Sequence, residues 1–194
     1  MAYNLKTVCI LIADDNVLML ELLKNMLLLF GVGEVVTSKN GAEAYEKYVI
    51  YKPDLVITDW IMDEMDGLDL AQKIRESDKK LNPFVPIILM TGFSEKRRVI
   101  AARDSGITEF LAKPFSAEDL YKRLVQIIEN PRQFVKAEKF FGPDRRRTLG
   151  KFYGGPFRRD ADDGQENPNA VKREIKKVSE NDTIELDMVE RPNE

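Results

Sequence analysis

The stretch Thr7-Val8-Cys9-Ile10-Leu11-Ile12-Ala13-Asp14-Asp15 decides how the rest of the chain is read. Six apolar residues follow Thr7 without a break and stop at two acids. An apolar run with no polar alternation leaves no face for water, so it reads as a central strand buried on both sides, the kind found in parallel sheets covered by helices. Working outward, Leu and Met recur at helical spacing from Asn16 to Phe30, with Asp15 or Asn16 to cap the start and Gly31 just past the end. Glu34 to Thr37 makes a second short strand and Gly41 to Tyr51 a helix that Pro53 stops. Leu55-Val56-Ile57-Thr58-Asp59 is a third strand, again delivering an acid at its end.

The alternation continues with a helix over Gly67 to Arg75, a strand Pro86 to Thr91, a helix Glu95 to Asp104 and a strand Ile107 to Leu111. Last comes an amphipathic helix, Ser116 to Glu129, with Ser116 as its cap and Leu120, Leu124, Ile127 and Ile128 on one face. The count is (βα)5, an α/β chain with a five-stranded, doubly wound parallel sheet. In such sheets ligands gather outside the C-terminal ends of the strands. Asp14, Asp15, Asp59, Thr91 and Lys113 all fall at or just past those ends. Crowded carboxylates in an open cleft call for a hard divalent cation, and Mg²⁺ takes oxygen ligands. Asp59 then has the chemistry of a nucleophile toward phosphorus, with Thr91 and Lys113 as donors to the transferred group. Taken alone, the acidic pair could serve only to end a strand and cap a helix. Its joint occurrence with Asp59, Thr91 and Lys113 at successive strand ends favours a reacting site.

Composition narrows the field further. The 194 residues hold no histidine and one cysteine, Cys9, which excludes Ser/His/Asp and Cys/His triads, disulfide frameworks and any phosphohistidine carrier. Cys9 itself reads as packing. The N-terminus lacks a basic-then-apolar leader and no apolar stretch is long enough to span a bilayer, so a cytoplasmic protein is expected. The net charge of −3 divides unevenly: residues 1–129 carry 16 basic and 20 acidic residues, 130–159 carry 9 and 2, and 160–194 carry 5 and 11. The chain therefore reads as a domain over 1–130, a basic aromatic extension over 131–159 and an acidic, disordered tail over 160–194.

These residues resemble the receiver domain of two-component response regulators. Asp14-Asp15 is similar to the family's acidic pair, Asp59 to its phosphoacceptor, Thr91 to its switch hydroxyl, Phe110 to its switch aromatic and Lys113-Pro114-Phe115 to its lysine-proline motif. The resemblance implies a flavodoxin-like fold with strand order 2-1-3-4-5 and a largely irregular C-terminal extension. It implies Mg²⁺ held by Asp15, Asp59 and the backbone carbonyl of Ile61, with Asp14 in support, and a cis Lys113-Pro114 bond. It further implies a signalling switch rather than an enzyme. A sensor histidine kinase or phosphotransfer protein would be the donor. A downstream protein would bind the face built from the helix over 95–104, the fifth strand and the last helix. As a bland alternative, Phe110 is a core aromatic.

Some positions depart from the pattern. Asp63 stands where the family commonly has proline, and Gly92 where alanine is usual, so an acidic, more mobile loop with altered kinase docking is expected. Ile61 and Phe93, two residues past Asp59 and Thr91, would flank the path of hydrolytic water and slow self-dephosphorylation. Residues 131–159 interleave Arg132, Lys136 and Arg145 to Arg147 with Phe134, Phe140, Phe141 and Tyr153. Packing against the domain is the first reading of this segment, a protein partner the second, and nucleic acid or membrane the least favoured. A nucleic-acid-binding regulator acting through 132–159 and a phosphorylation-independent scaffold are the rival functions.

Overall fold

The structure, a computed structural model, describes residues 3–78, 80–92, 105–137 and 140–143. The expected helix over 95–104, Phe93, most of the basic extension and the acidic tail lie outside the described residues. Five strands, β1 (Cys9–Ala13), β2 (Glu34–Ser38), β3 (Leu55–Asp59), β4 (Ile87–Thr91) and β5 (Glu109–Ala112), form one parallel sheet in the order β2-β1-β3-β4-β5. The helices α1 (Val17–Leu29), α2 (Gly41–Tyr51), α3 (Gly67–Arg75) and α4 (Ala117–Glu129) cover both faces. This is the expected flavodoxin-like, doubly wound fold.

Side-chain alternation along the strands sorts the core into two layers. Leu11, Val56, Ile87 and Leu89 pack with Ala44 and Tyr48 of α2 and Leu70, Ala71 and Ile74 of α3. Ile10, Ile12, Ile57, Ile88 and Met90 point the other way, onto Leu20, Leu23 and Leu27 of α1 and Leu120 and Leu124 of α4. Each helix start is capped by a side chain that the sequence places there. Asn16 Oδ1 accepts from Leu18 and Met19 N–H, Asn40 from Glu43, Asp66 from Leu68 and Asp69, and Ser116 forms a reciprocal capping box with Asp119. Among the described residues no helix is long and apolar enough to cross a membrane.

Strand one begins at Cys9, two residues into the stretch that opens at Thr7, and two further features differ from the expected outline. Strand five begins at Glu109, two residues later than the apolar run suggested, because Ile107 and Thr108 belong to the approach: Thr108 N–H bonds Ile87 O, and its hydroxyl accepts from Ile87 N–H at 3.0 Å. The extension expected to be largely irregular opens with an antiparallel hairpin, β6 (Phe134–Ala137) against β7 (Phe140–Pro143). It sits beneath the N-terminal ends of β4 and β5, where Phe134 packs on Phe84 with ring centroids 5.3 Å apart. The Phe134 ring also covers the buried guanidinium of Arg75, at 4.9 Å. Arg75, the last residue of α3, donates to the carbonyls of Gly106, Pro83 and Val85 at 2.7–3.0 Å. Burial pushes its pKa down to about 9, so it stays charged at neutral pH.

Candidate functional site

Parallel strands deliver their last residues to one edge of the sheet, and this chain ends its inner strands in polar groups. Asp14 follows β1 and is fully buried; its Oδ1 accepts from Asn16 N–H at 2.9 Å. Asp15 beside it is exposed, and Asp59 closes β3 half-buried. The ligand oxygens of Asp14, Asp15 and Asp59 all lie within 4.8 Å of one another. Lys113, just past β5, sends its Nζ to Asp14 Oδ2 and to Asp59 Oδ1, each at 3.0 Å. Its own N–H donates to the carbonyl of Thr91 at 2.7 Å, which ties the β4 and β5 ends together. The Lys113-Pro114 peptide bond is cis.

The electrostatics follow from this crowding. Burial raises the pKa of the Asp59 carboxyl above its ordinary value, and the neighbouring Asp14 adds to the rise, while hydrogen bonding and attraction from Lys113 pull the other way. Burial alone would lower the pKa of Lys113, but its bonds to Asp59 and Asp14 outweigh that and leave it raised. One ammonium among three carboxylates leaves the cluster two negative charges in surplus. All-oxygen donors with that surplus fit a hard dication such as Mg²⁺, and fit a soft metal poorly. Asp14, Asp15 and Asp59 are the side chains that could hold it. Ile61, whose carbonyl was expected to join them, lies two residues past Asp59 and is 57% exposed.

Of the other residues singled out in the sequence, Thr91 is buried at the end of β4. Phe110 is partly buried and packs against the α2–α3 layer of the core. The β3–α3 loop, expected to be mobile, is tied down by Asn40 Nδ2 donating to Glu64 Oε2 at 3.3 Å and Gly41 N–H donating to Met65 O at 3.2 Å. Sequence reasoning missed Gly67. Its N–H bonds Trp60 O, and a Cβ there would stand 2.0 Å from the carbonyl oxygen of Asp59, so only glycine lets α3 start this close to the acid. A glycine opening a helix straight after an acidic loop was the available signal.

Comparison with known proteins agrees with this geometry. The family model described as the response regulator receiver domain matches residues 10–125. The chain is 36% identical over 120 residues to the chemotaxis protein CheY1 of Helicobacter pylori, covering 61% of this chain and 95% of that protein. The chemotaxis response regulator CheY4 of Vibrio cholerae superposes with a TM-score of 0.58 at 28% identity, over 62% of this chain and 98% of the other. The receiver domain of sensor histidine kinase PA1611 from Pseudomonas aeruginosa, solved with a magnesium ion in its active-site cleft, aligns at 25% identity with a TM-score of 0.55. That alignment covers 61% and 94% of the two chains.

Proposed function

The chain belongs to the response regulator receiver domain family of two-component signalling, and on that premise we propose that it is a phosphorylation switch with Asp59 as its acceptor. A carboxylate oxygen of Asp59 attacks the phosphorus of a phosphohistidine on a sensor kinase or phosphotransfer protein. The P–N bond breaks with its electron pair going to the imidazole, which is then protonated, and a P–O bond forms to give an acyl phosphate. Asp14, Asp15 and Asp59, with the Ile61 carbonyl, would hold Mg²⁺, which when bound would neutralise charge on the incoming group. Lys113, shared between Asp14 and Asp59, turns to the new phosphoryl oxygens, and the Thr91 hydroxyl donates to another. Phe110 then repacks, and the face that includes β5 and α4 changes its affinity for a downstream protein. The chemistry is confined to the chain's own phosphorylation and dephosphorylation.

The observation that carries this reading is Lys113 lying 3.0 Å from both Asp14 and Asp59 within a three-carboxylate cluster. Intact-mass measurement after incubation with Mg²⁺ and a small phosphodonor tests it. A phosphoryl-sized gain that requires both Mg²⁺ and Asp59, and is absent in Asp59→Asn, is expected. A gain that persists in Asp59→Asn, or no gain together with no beryllofluoride complex, overturns the reading in favour of a scaffold. The apolar Ile61 further implies an acyl phosphate that outlasts seconds, which a rapid-quench time course reads directly.

A further inference from the structure

Glu109, the first residue of β5, is buried beneath two arginines. Arg132 of the extension places Nη2 at 2.6 Å from Oε1, and Arg123 of α4 places Nη1 at 3.7 Å from Oε2. Two residues after Arg132, Phe134 covers Arg75 and packs edge-on against Phe84. The extension is thus fastened to the underside of β4 and β5 by a charged anchor and an aromatic one. The anchored strand has only four residues, spanning about 13 Å. Its ladder to β4 runs from Ile88↔Glu109 to Thr91↔Ala112, and Lys113 follows at once. One short strand therefore carries the extension at one end and the pocket ammonium at the other.

We propose that the segment carrying Arg132 and Phe134 is a clamp on β5, engaged while Asp59 is unmodified and released when Asp59 carries a phosphoryl group. The inference rests on Asp59 being the phosphoacceptor. In the unmodified chain Lys113 is shared between Asp14 and Asp59. A phosphoryl group on Asp59 draws Lys113 toward its own oxygens and so pulls β5 from the pocket end, while Arg132 holds it at Glu109. Both pulls act on the same four-residue strand, from opposite ends, so in this reading each weakens the other. Linkage makes the effect reciprocal: loosening the clamp strengthens binding of a phosphoryl group or its analogue by the factor by which the analogue loosens the clamp.

The full chain tests this with beryllofluoride and Mg²⁺ as the phosphoryl analogue. Trp60, the chain's single tryptophan and the neighbour of Asp59, reports binding by fluorescence. Hydrogen exchange of the peptide covering residues 134–143 reports the clamp. Expected are slow exchange in the free chain and exchange about fivefold or more faster with the analogue bound. Arg132→Gln should bind the analogue tighter by a similar factor, and Phe134→Ala, which leaves the Arg132–Glu109 pair in place, should do the same. If Trp60 responds while exchange of 134–143 is unchanged and both variants bind as wild type, the clamp is refuted. Exchange in the free chain as fast as in an unstructured peptide also refutes it. A Trp60 signal no different from that of Asp59→Asn overturns the Asp59 reading and the linkage with it, an outcome set apart by the missing fluorescence response.

Discussion

Lys113→Met should make the pocket bind Mg²⁺ more tightly even as it weakens the metal-free fold. The ammonium stands 3.0 Å from one oxygen each of Asp14 and Asp59. It competes with a dication for the same carboxylates. Two cations on a shared carboxylate lie roughly 5 Å apart, where a dication and an ammonium repel by about 1.7 kcal/mol in water and by more in a half-buried cleft. Removing the ammonium therefore raises Mg²⁺ affinity about tenfold or more. Without metal the variant leaves Asp14, whose side chain is 1% exposed, with the Asn16 N–H and no cation at 3 Å. Losing one partner of a buried pair costs about 3–5 kcal/mol, and the partial exposure of Lys113 reduces this to about 2 kcal/mol. Titration of Trp60 fluorescence with Mg²⁺ gives the affinity, and urea unfolding with and without Mg²⁺ gives the stability. The reasoning fails if the variant binds Mg²⁺ no better than wild type, or if saturating Mg²⁺ does not recover the lost stability.

Gly67→Ala brings a Cβ to within 2.0 Å of the Asp59 carbonyl oxygen and 2.9 Å of Leu89 Cδ1. It should cost about 2–3 kcal/mol in urea unfolding and weaken Mg²⁺ binding as read by Trp60 fluorescence; an unchanged Mg²⁺ titration would show that Gly67 does not set the position of Asp59. Arg75→Lys keeps the charge but loses the fork that serves three carbonyls. Leaving one or two of them unsatisfied should destabilise by about 3 kcal/mol, whereas a loss under about 1 kcal/mol would mean water takes over those acceptors. Asp59 titrates above its ordinary range because it is buried. An acid of this kind binds its proton more tightly folded than unfolded, so its contribution to stability falls as pH rises between the unfolded and folded pKa. In metal-free buffer Asp59→Asn should therefore be more stable than wild type at neutral pH, with the gap closing on acidification; a gap independent of pH would exclude this origin.

Much of the fold was legible because its signals are local. The β-branched runs of β1, β3 and β4 need only neighbouring residues to be recognised, and the helices Gly41–Tyr51 and Gly67–Arg75 begin and end where the sequence places them. The acids at the strand ends were legible for the same reason, since topology alone carries them to one edge. What escaped notice depends on distant partners. Glu109 is buried with a charge partner, Arg132, that lies 23 residues away. Arg75 is buried against the carbonyls of Pro83, Val85 and Gly106 and under the ring of Phe134, all distant from it in sequence. The hairpin lies in four-residue strands with Gly142 and Pro143 at one end, which read as breaks. Its stability comes from Phe84 and Arg75 on another element rather than from its own pattern.

The hairpin also fixes a direction. Pro143 pairs with Phe134 in the ladder, so the chain departs from beneath the sheet, while the carboxylates open above it. Pro143 thus stands at the edge of the sheet opposite the carboxylates. A fluorescent label attached at the hairpin itself should therefore leave the acidic mouth unobstructed.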